Sequence, residues 1–324
     1  MTAYYLLLLL SSCFGAAGEI CVKQYDLRAG KIRNGNYVFN LILSLVSIVC
    51  FLITGVSTAG GLTFRADVFG YAVLRAVGYI MGSVGYLAAV HTGPLLLSVV
   101  ISRMGNLIPI FYSILFLEEE VTPLTILGAL LLFTALVLFN CRKRGGVRRA
   151  GLRFWFFVFL SFTGNGIAML ATKVQQFYQP GLYRSEILFY SMAIVSLFFL
   201  GAVLICPPRA AEGDGVGKSP AALPESPKAC RGSGRYAGFF PLFFTGAIFA
   251  VLYGISNAAG NYIGTAVISH LPAIVYYTFS TGLGILLSFL VARGIYREKL
   301  GWLQYLGCGL AAVGLFLLTS SGWL

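Results

Sequence analysis

The sequence predicts an all-α integral membrane protein with ten transmembrane helices arranged as two inverted five-helix repeats. Three observations lead there. The composition is too apolar for water, the charge-free stretches are each about one bilayer span long, and the second half of the chain repeats the first.

Of the 324 residues, 58% are hydrophobic and only 10% are charged, and the mean hydropathy is +0.85. A globular domain is about 45–50% apolar and about 25% charged, so this chain lacks the polar surface that a water-soluble fold needs. The stretches without Asp, Glu, Lys or Arg are 1–18, 34–64, 76–102, 104–117, 121–141, 154–172, 187–208, 236–292 and 300–324. A bilayer-spanning helix takes about 20 apolar residues, which makes most of these one span long. A membrane barrel would need alternating strands, and runs such as Leu6 to Leu10 and Phe154 to Leu160 do not alternate.

In chain order the predicted helices lie near 3–24, 36–57, 69–90, 95–117, 122–141, 154–176, 184–206, 242–268, 273–293 and 300–321. The first starts without a basic leader and is interrupted by Gly15, Gly18, Glu19 and Lys23, so a cleaved signal peptide is not expected. Gly93-Pro94 separates the third helix from the fourth, and Leu271-Pro272 splits the long run 236–292 in two, because proline removes a backbone donor and restricts the residue before it. Seven cysteines with no CxxC spacing suggest small apolar packing rather than a disulfide framework or a metal site.

The duplication is read from matching segments. Residues 116–139 align with 295–318 at an offset of 179, placing Glu119 over Glu298 and Gly128 over Gly307, while Pro94 matches Pro272 at 178. Upstream, Lys23 aligns with Lys173 at 150. The jump in offset is the 29-residue stretch 207–235, rich in Pro, Gly, Ala and Ser and read as an inserted flexible loop. The chain therefore divides into a first repeat at 1–141, a basic connector at 142–153 and a second repeat at 154–324. An odd number of helices per repeat inverts the second copy, an arrangement that places a substrate site between the halves near the midplane.

The formal net charge of +12 is read as topology rather than nucleic-acid binding. Eighteen of the 23 basic residues lie in four connectors of one parity, around 23–33, 142–153, 209–235 and 293–299, whereas the opposite parity holds only Arg65 and Arg184. Cytoplasmic loops carry the excess of Lys and Arg, so both termini are expected outside the cytoplasm of a cell-membrane protein. The near match to a phosphate-binding loop at Glu212 to Ser219 has Glu212 where the first glycine is required and no strand before it, so nucleotide binding is not expected there.

An acidic residue before the last helix of each repeat and a glycine inside it (Glu119 and Gly128, Glu298 and Gly307), Pro109 in the fourth helix, and Lys23 and Lys173 ending the first helix of each half together resemble the drug/metabolite transporter superfamily, in particular its EamA-like ten-helix members. The resemblance covers essentially 1–321 apart from the inserted loop. It implies a metabolite carrier, ion-coupled or not, with a central cavity lined by helices 1, 3, 4, 6, 8 and 9. Two features depart from the pattern. Characterised relatives usually keep both termini in the cytoplasm, and the membrane glutamate of the small four-helix multidrug relatives is replaced here by Gly15.

Charged side chains in a bilayer cost about 2.5–3.5 kcal/mol on insertion scales, so Arg75 and Arg103 are expected to face the bundle interior. Arg103 lies near Asn106 on a helix that Pro109 should kink. Arg75, Tyr79, Ser83 and Tyr86 share one face of the third helix, and Gly78 and Gly82 have the spacing that lets helices approach closely. The repeat places Tyr253, Asn257 and Asn261 at equivalent positions in the eighth helix, and Tyr276, Ser280 and Asn165 complete the candidate cavity. For Asn257 and Asn261, interhelical hydrogen bonding is the alternative role. Glu19 and Lys23, one turn apart, form either a coupling or a structural pair. His91 and His270 precede the fourth and ninth helices as either a relay or hydrogen-bonded connectors.

With more cation than anion in the membrane, the expected function is a secondary transporter of anionic or zwitterionic small molecules, such as amino acids or sugar-derived metabolites, its two halves rocking about a central site. Its partners would be that substrate and the lipid bilayer, as monomer or homodimer, with no nucleic acid, cofactor or metal. Export of drug-like organic cations is the alternative. An intramembrane enzyme is not expected, since the three aspartates lie in predicted loops and only two histidines exist.

Overall fold

The computed structural model describes residues 2–29, 32–33, 35–59, 61–92, 98, 101–119, 121–140, 151–206, 209–210, 239–295 and 301–321. Its helices are α1 (Thr2–Ala29), α2 (Gly35–Ala59), α3 (Ala66–Thr92), α4 (Ile101–Phe116), α5 (Pro123–Asn140), α6 (Leu152–Tyr178), α7 (Arg184–Ile205), α8 (Phe239–Ile268), α9 (Ala273–Leu290) and α10 (Trp302–Ser321). Six of them, α1, α2, α3, α6, α7 and α10, contain stretches long and apolar enough to cross a membrane, and α4, α5 and α9 contain shorter apolar ones. The side chains of Glu19, Lys23 and His91, most of the 142–153 connector and most of the 207–235 loop lie outside the described residues.

The outer surface is unlike that of a water-soluble protein. Leu115, Leu197 and Phe316 are 70%, 68% and 69% exposed on helix faces, while Arg75, Lys173, Gln175, Gln176 and Ser191 are buried. Apolar surface on this scale favours lipid over water, and polar groups sheltered inside must find partners there.

Local structure follows the punctuation of the sequence with three adjustments. Several helices outrun their charge-free cores: α1 continues to Ala29 instead of ending near 24, and α3 and α6 each gain two or more residues at both ends. The reason is that Lys, Arg and Asp are ordinary helix residues once the helix emerges from the apolar layer. One turn before Pro109 the helix contains a 3-10 turn, Met104–Asn106. Gly105, four residues before Pro109, lies in this turn; the proline has no N–H to offer its carbonyl, which the Leu107 amide meets instead. Beyond α9 the chain takes one π-helical turn, Val291–Ile295.

The one departure from an all-helical chain among the described residues is a two-residue antiparallel pairing of β1 (Ile32–Arg33) with β2 (Arg209–Ala210). It joins the α1–α2 and α7–α8 connectors at one end of the bundle. At the other end Thr63 and Arg65 of the α2–α3 connector meet α7 and the α6–α7 connector, donating to Glu186 Oε1 and to the Tyr183 hydroxyl. The first pair of connectors belongs to the basic-rich set and the second to the basic-poor set, so the structure sorts them by end as the charges do. Outside the apolar spans, the Arg65 guanidinium is held above its ordinary range by the hydrogen bond to Tyr183 and by Asp67.

The main helix pairs are α3 with α6, α1 with α8, α5 with α10, and α2 with α7, while α2 also packs on α8 and α3 on α7. The α3–α6 pair is a backbone seam. A Cβ on Gly78 would lie 2.6 Å from the Ala168 nitrogen, one on Gly85 2.7 Å from the Ser161 nitrogen, and one on Gly164 would overlap the Gly82 nitrogen. The small-residue spacing of Gly78 and Gly82 thus does what small residues do in lipid, where contact rather than apolar burial drives helix association. At the far end of α6 a corner to α7 is tied by glutamines. Gln175 and Gln176 both donate to the Leu182 carbonyl, the Gly181 amide donates to Gln176, and Gln179 donates to Asp67 of α3.

Candidate functional site

The interior polar groups gather along one face of α9 and the helices opposite it. Arg75 is the centre of the upper group. From the middle of α3 its Nε donates to Thr172 Oγ1 of α6 at 3.0 Å, Nη1 to Ser191 Oγ of α7 at 3.1 Å and Nη2 to Asn261 Oδ1 of α8 at 3.0 Å. One side chain thus bridges four helices. Each of these acceptors is a neutral oxygen. A guanidinium has five N–H donors, so two remain beyond the three bonds.

Asn261 in turn donates to Asn257, at 2.8 Å to its carbonyl and 3.0 Å to its side-chain oxygen. The Asn257 Nδ2 is buried without a hydrogen-bond partner. A buried unmade donor costs about 1–3 kcal/mol. The Tyr79, Tyr276 and Tyr277 side chains lie within electrostatic reach of Arg75. Tyr276 and Tyr277 pack edge to face with centroids 4.9 Å apart, and the Tyr277 hydroxyl donates to the Met169 carbonyl of α6 at 2.9 Å. The local surplus of N–H donors suits a ligand rich in acceptor oxygens.

One turn further along α9 is Ser280, half-buried, and beside it Thr281, whose hydroxyl accepts from Asn106 Nδ2 at 3.2 Å. Arg103 is half-buried at the level of Gly284, where an added Cβ would sit 3.5 Å from its Nη1. Tyr276, Ser280 and Gly284 recur at the four-residue helical spacing, so one face of α9 carries Tyr276 and Ser280 and meets Arg103 of α4 at Gly284. Interhelical hydrogen bonds in membranes average about 0.6 kcal/mol. A double-mutant cycle of Asn106→Ala with Thr281→Val is expected to give a coupling of about that size in thermal unfolding. No coupling would mean the amide does not rest on Thr281.

Two predicted site residues sit elsewhere. Asn165 donates to Ser102 Oγ at 2.7 Å, so it ties α6 to α4, and the neighbouring Ser161 hydroxyl lies within hydrogen-bond distance of both Ser102 Oγ and the Gly82 carbonyl of α3. Tyr253 packs at the junction of α1, α2 and α8, with its ring stacked on Phe39 and lying where a Cβ on Gly18 would fall. The offset that aligns Tyr253 with Arg75 preserves position along the helix, not chemistry. His270 is exposed in the α8–α9 turn and stacks on Tyr4 at 4.4 Å.

Sequence reasoning missed the partners of Arg75 and one ion pair. Thr172 and Ser191 carry no signal in a chain rich in small hydroxyls. Lys173 and Glu119 pair at 2.6 Å across 54 sequence positions and between the two halves, so no spacing rule connects them.

No family model matches the chain, and no curated protein matches its sequence. Solved structures do match. One, described only as a crystal structure of a protein, is 12% identical with a TM-score of 0.67 over 98% of this chain and 96% of its own. At that identity the likeness shows a shared fold over the whole length of both chains, and nothing of what either one does.

Proposed function

We propose that the protein is a secondary carrier of the cell membrane, a ten-helix member of the drug/metabolite transporter superfamily of the EamA-like kind, moving an anionic or zwitterionic small molecule by alternating access. The observation that carries this reading is Arg75, a cation in the bundle interior bonded to three neutral oxygens and placed beside the unpartnered Asn257 amide. A cation kept away from water is expensive, and here it presents unused donors to the interior, as a binding group for a carboxylate or phosphate would.

The helix pairing supports the inverted-repeat part of the reading. Exchanging each helix for the one five places along turns α3–α6 into α8–α1 and α2–α8 into α7–α3, and returns α5–α10 and α2–α7 to themselves. Every one of these pairs is in contact. The backbone seam between α3 and α6 joins the two halves, which refines the rocking motion. The bodies that move each contain helices from both halves, with α3 and α6 in one and α1 and α8 in the other.

Uptake or counterflow of labelled amino acids, sugar acids and phosphorylated metabolites into proteoliposomes tests the function, and selective transport of organic cations instead would refute the charge argument. The basic-rich connectors favour termini outside the cytoplasm. A terminal reporter that fluoresces only in the cytoplasm is expected to stay dark, and a bright one reverses the assignment.

A further inference from the structure

Glu119 and Lys173 do more than neutralise each other. Lys173 Nζ lies 2.6 Å from Glu119 Oε1 and also donates to the Ile268 carbonyl at 3.2 Å, the end of α8, and to the Leu271 carbonyl at 3.1 Å in the α8–α9 turn. Glu119 Oε2 accepts the Ala273 amide at 2.7 Å, the first residue of α9. One ion pair thus joins the α4–α5 connector, the body of α6, the carbonyl end of α8 and the amide end of α9. Each charge meets the helix end of opposite polarity.

The pair forms part of the lining of a cleft of about 410 Å³ to which Gln176, Ser269, His270 and Pro272 also contribute. That space has room for about a dozen waters. One turn inward on α6 and α9, the Tyr277 hydroxyl meets the Met169 carbonyl, while Arg75 reaches Thr172, next to Lys173 on α6, and Asn261, about two turns before Ile268 on α8. Seen from the cleft, the tyrosine tie and the Arg75 group therefore both lie behind the ion pair.

We infer that the Glu119–Lys173 pair is a latch that closes this end of the bundle over the Arg75 group, and that it opens by hydration from the cleft; the inference rests on the carrier reading. Permanent joints in this protein are built differently, as the glycine seam of α3 with α6 shows. An ion pair at the edge of a cleft differs from a seam in that both partners are solvated as soon as they part. With the pair broken, the α8–α9 turn loses what fastens it to the α4–α5 connector and α6, and the path from the cleft to Tyr276 and Ser280 is free.

Labelling of Ser280→Cys by a membrane-impermeant maleimide, in right-side-out and inverted vesicles of the full chain, tests the latch without a substrate. Ser269→Cys, in the α8–α9 turn, marks the latch face. With the pair intact, Ser280→Cys is expected to be protected from that face. Adding Glu119→Gln or Lys173→Met is expected to raise its labelling from that face by about tenfold or more, since the closed population depends on the pair. Protection that persists in both neutral variants, with unchanged elution in detergent, overturns the latch, as does labelling from that face while the pair is intact. If the neutral variants aggregate, Glu119→Asp decides: it keeps the charge but withdraws it by one methylene, so intermediate labelling supports the latch and full protection overturns it. Uptake assays judge the carrier reading separately, so either proposal can fail alone.

Discussion

Replacing Arg75 with leucine is expected to cut transport about a hundredfold or more, equivalent to about 2.7 kcal/mol, while leaving the protein folded and its melting temperature unchanged or higher. The two halves of this expectation come from different balances. Hydrogen bonds from a charged donor contribute about 1.5–3 kcal/mol each, so losing those offered to a substrate oxyanion accounts for the transport defect. Stability responds differently because Thr172 and Ser191 remain bonded through their own hydroxyl hydrogens, to Ala168 and Leu188. Only Asn261 Oδ1 is left without its donor, at about 1–3 kcal/mol, and withdrawing a cation from the membrane interior returns about 2.5–3.5 kcal/mol. Arg75→Lys keeps the charge, but its single ammonium cannot reach three helices and present a fork, so it too is expected to transport poorly. A variant that melts far lower yet transports normally when folded would make Arg75 a structural tie and remove the basis for an anionic substrate.

The second large effect is at Gly164. Gly164→Ala is expected to destabilise the protein by about 3 kcal/mol, the upper end for overpacking, and to appear as loss of the monodisperse peak in detergent. The added methyl would lie 2.7 Å from the Gly78 carbonyl oxygen and 2.8 Å from the Met81 carbonyl carbon, and would overlap the Gly82 nitrogen. All three are backbone atoms of α3, so no rotamer change relieves the clash. The matched control is Gly70→Ala on the partner helix α3, where nothing lies within 4 Å of the new methyl and better helix propensity favours the alanine by up to about 1 kcal/mol. A Gly164→Ala protein that melts with the control would show that α3 and α6 can separate.

The parts of the fold that could be read from sequence are those set by solvent. Lipid excludes charge, so the charge-free runs locate the helices, and Pro272 places the start of α9 at Ala273, as observed. The 3-10 turn lies one turn before Pro109, where a missing donor acts. What stayed hidden depends on contact between distant segments. Lys173 could be matched by repeat with Lys23 and Glu119 with Glu298, yet nothing in either match says that Lys173 reaches Glu119 itself. Asn165 looks like a cavity residue in sequence and is a tie to Ser102 in the structure, because an asparagine amide serves a helix neighbour as readily as a ligand. Tyr253 shows the limit of repeat logic, since its neighbours Gly18 and Phe39 made an aromatic niche where the partner repeat has a cationic one.

The glutamine corner between α6 and α7 bears on how force moves through the molecule. An ordinary helix connection is a soft joint that lets one helix tilt while the next stays still. Here Gln175 and Gln176 fasten the turn from within, and Gln179 ties it to Asp67 at the head of α3. A helix secured in this way acts as a rigid lever: a displacement at the Lys173 end of α6 is delivered to α7 and α3 together. Ser191 and Arg75 ride on those two helices, so any tilt begun at the cleft moves the arginine and its acceptors in step, and the binding group keeps its shape while its surroundings change.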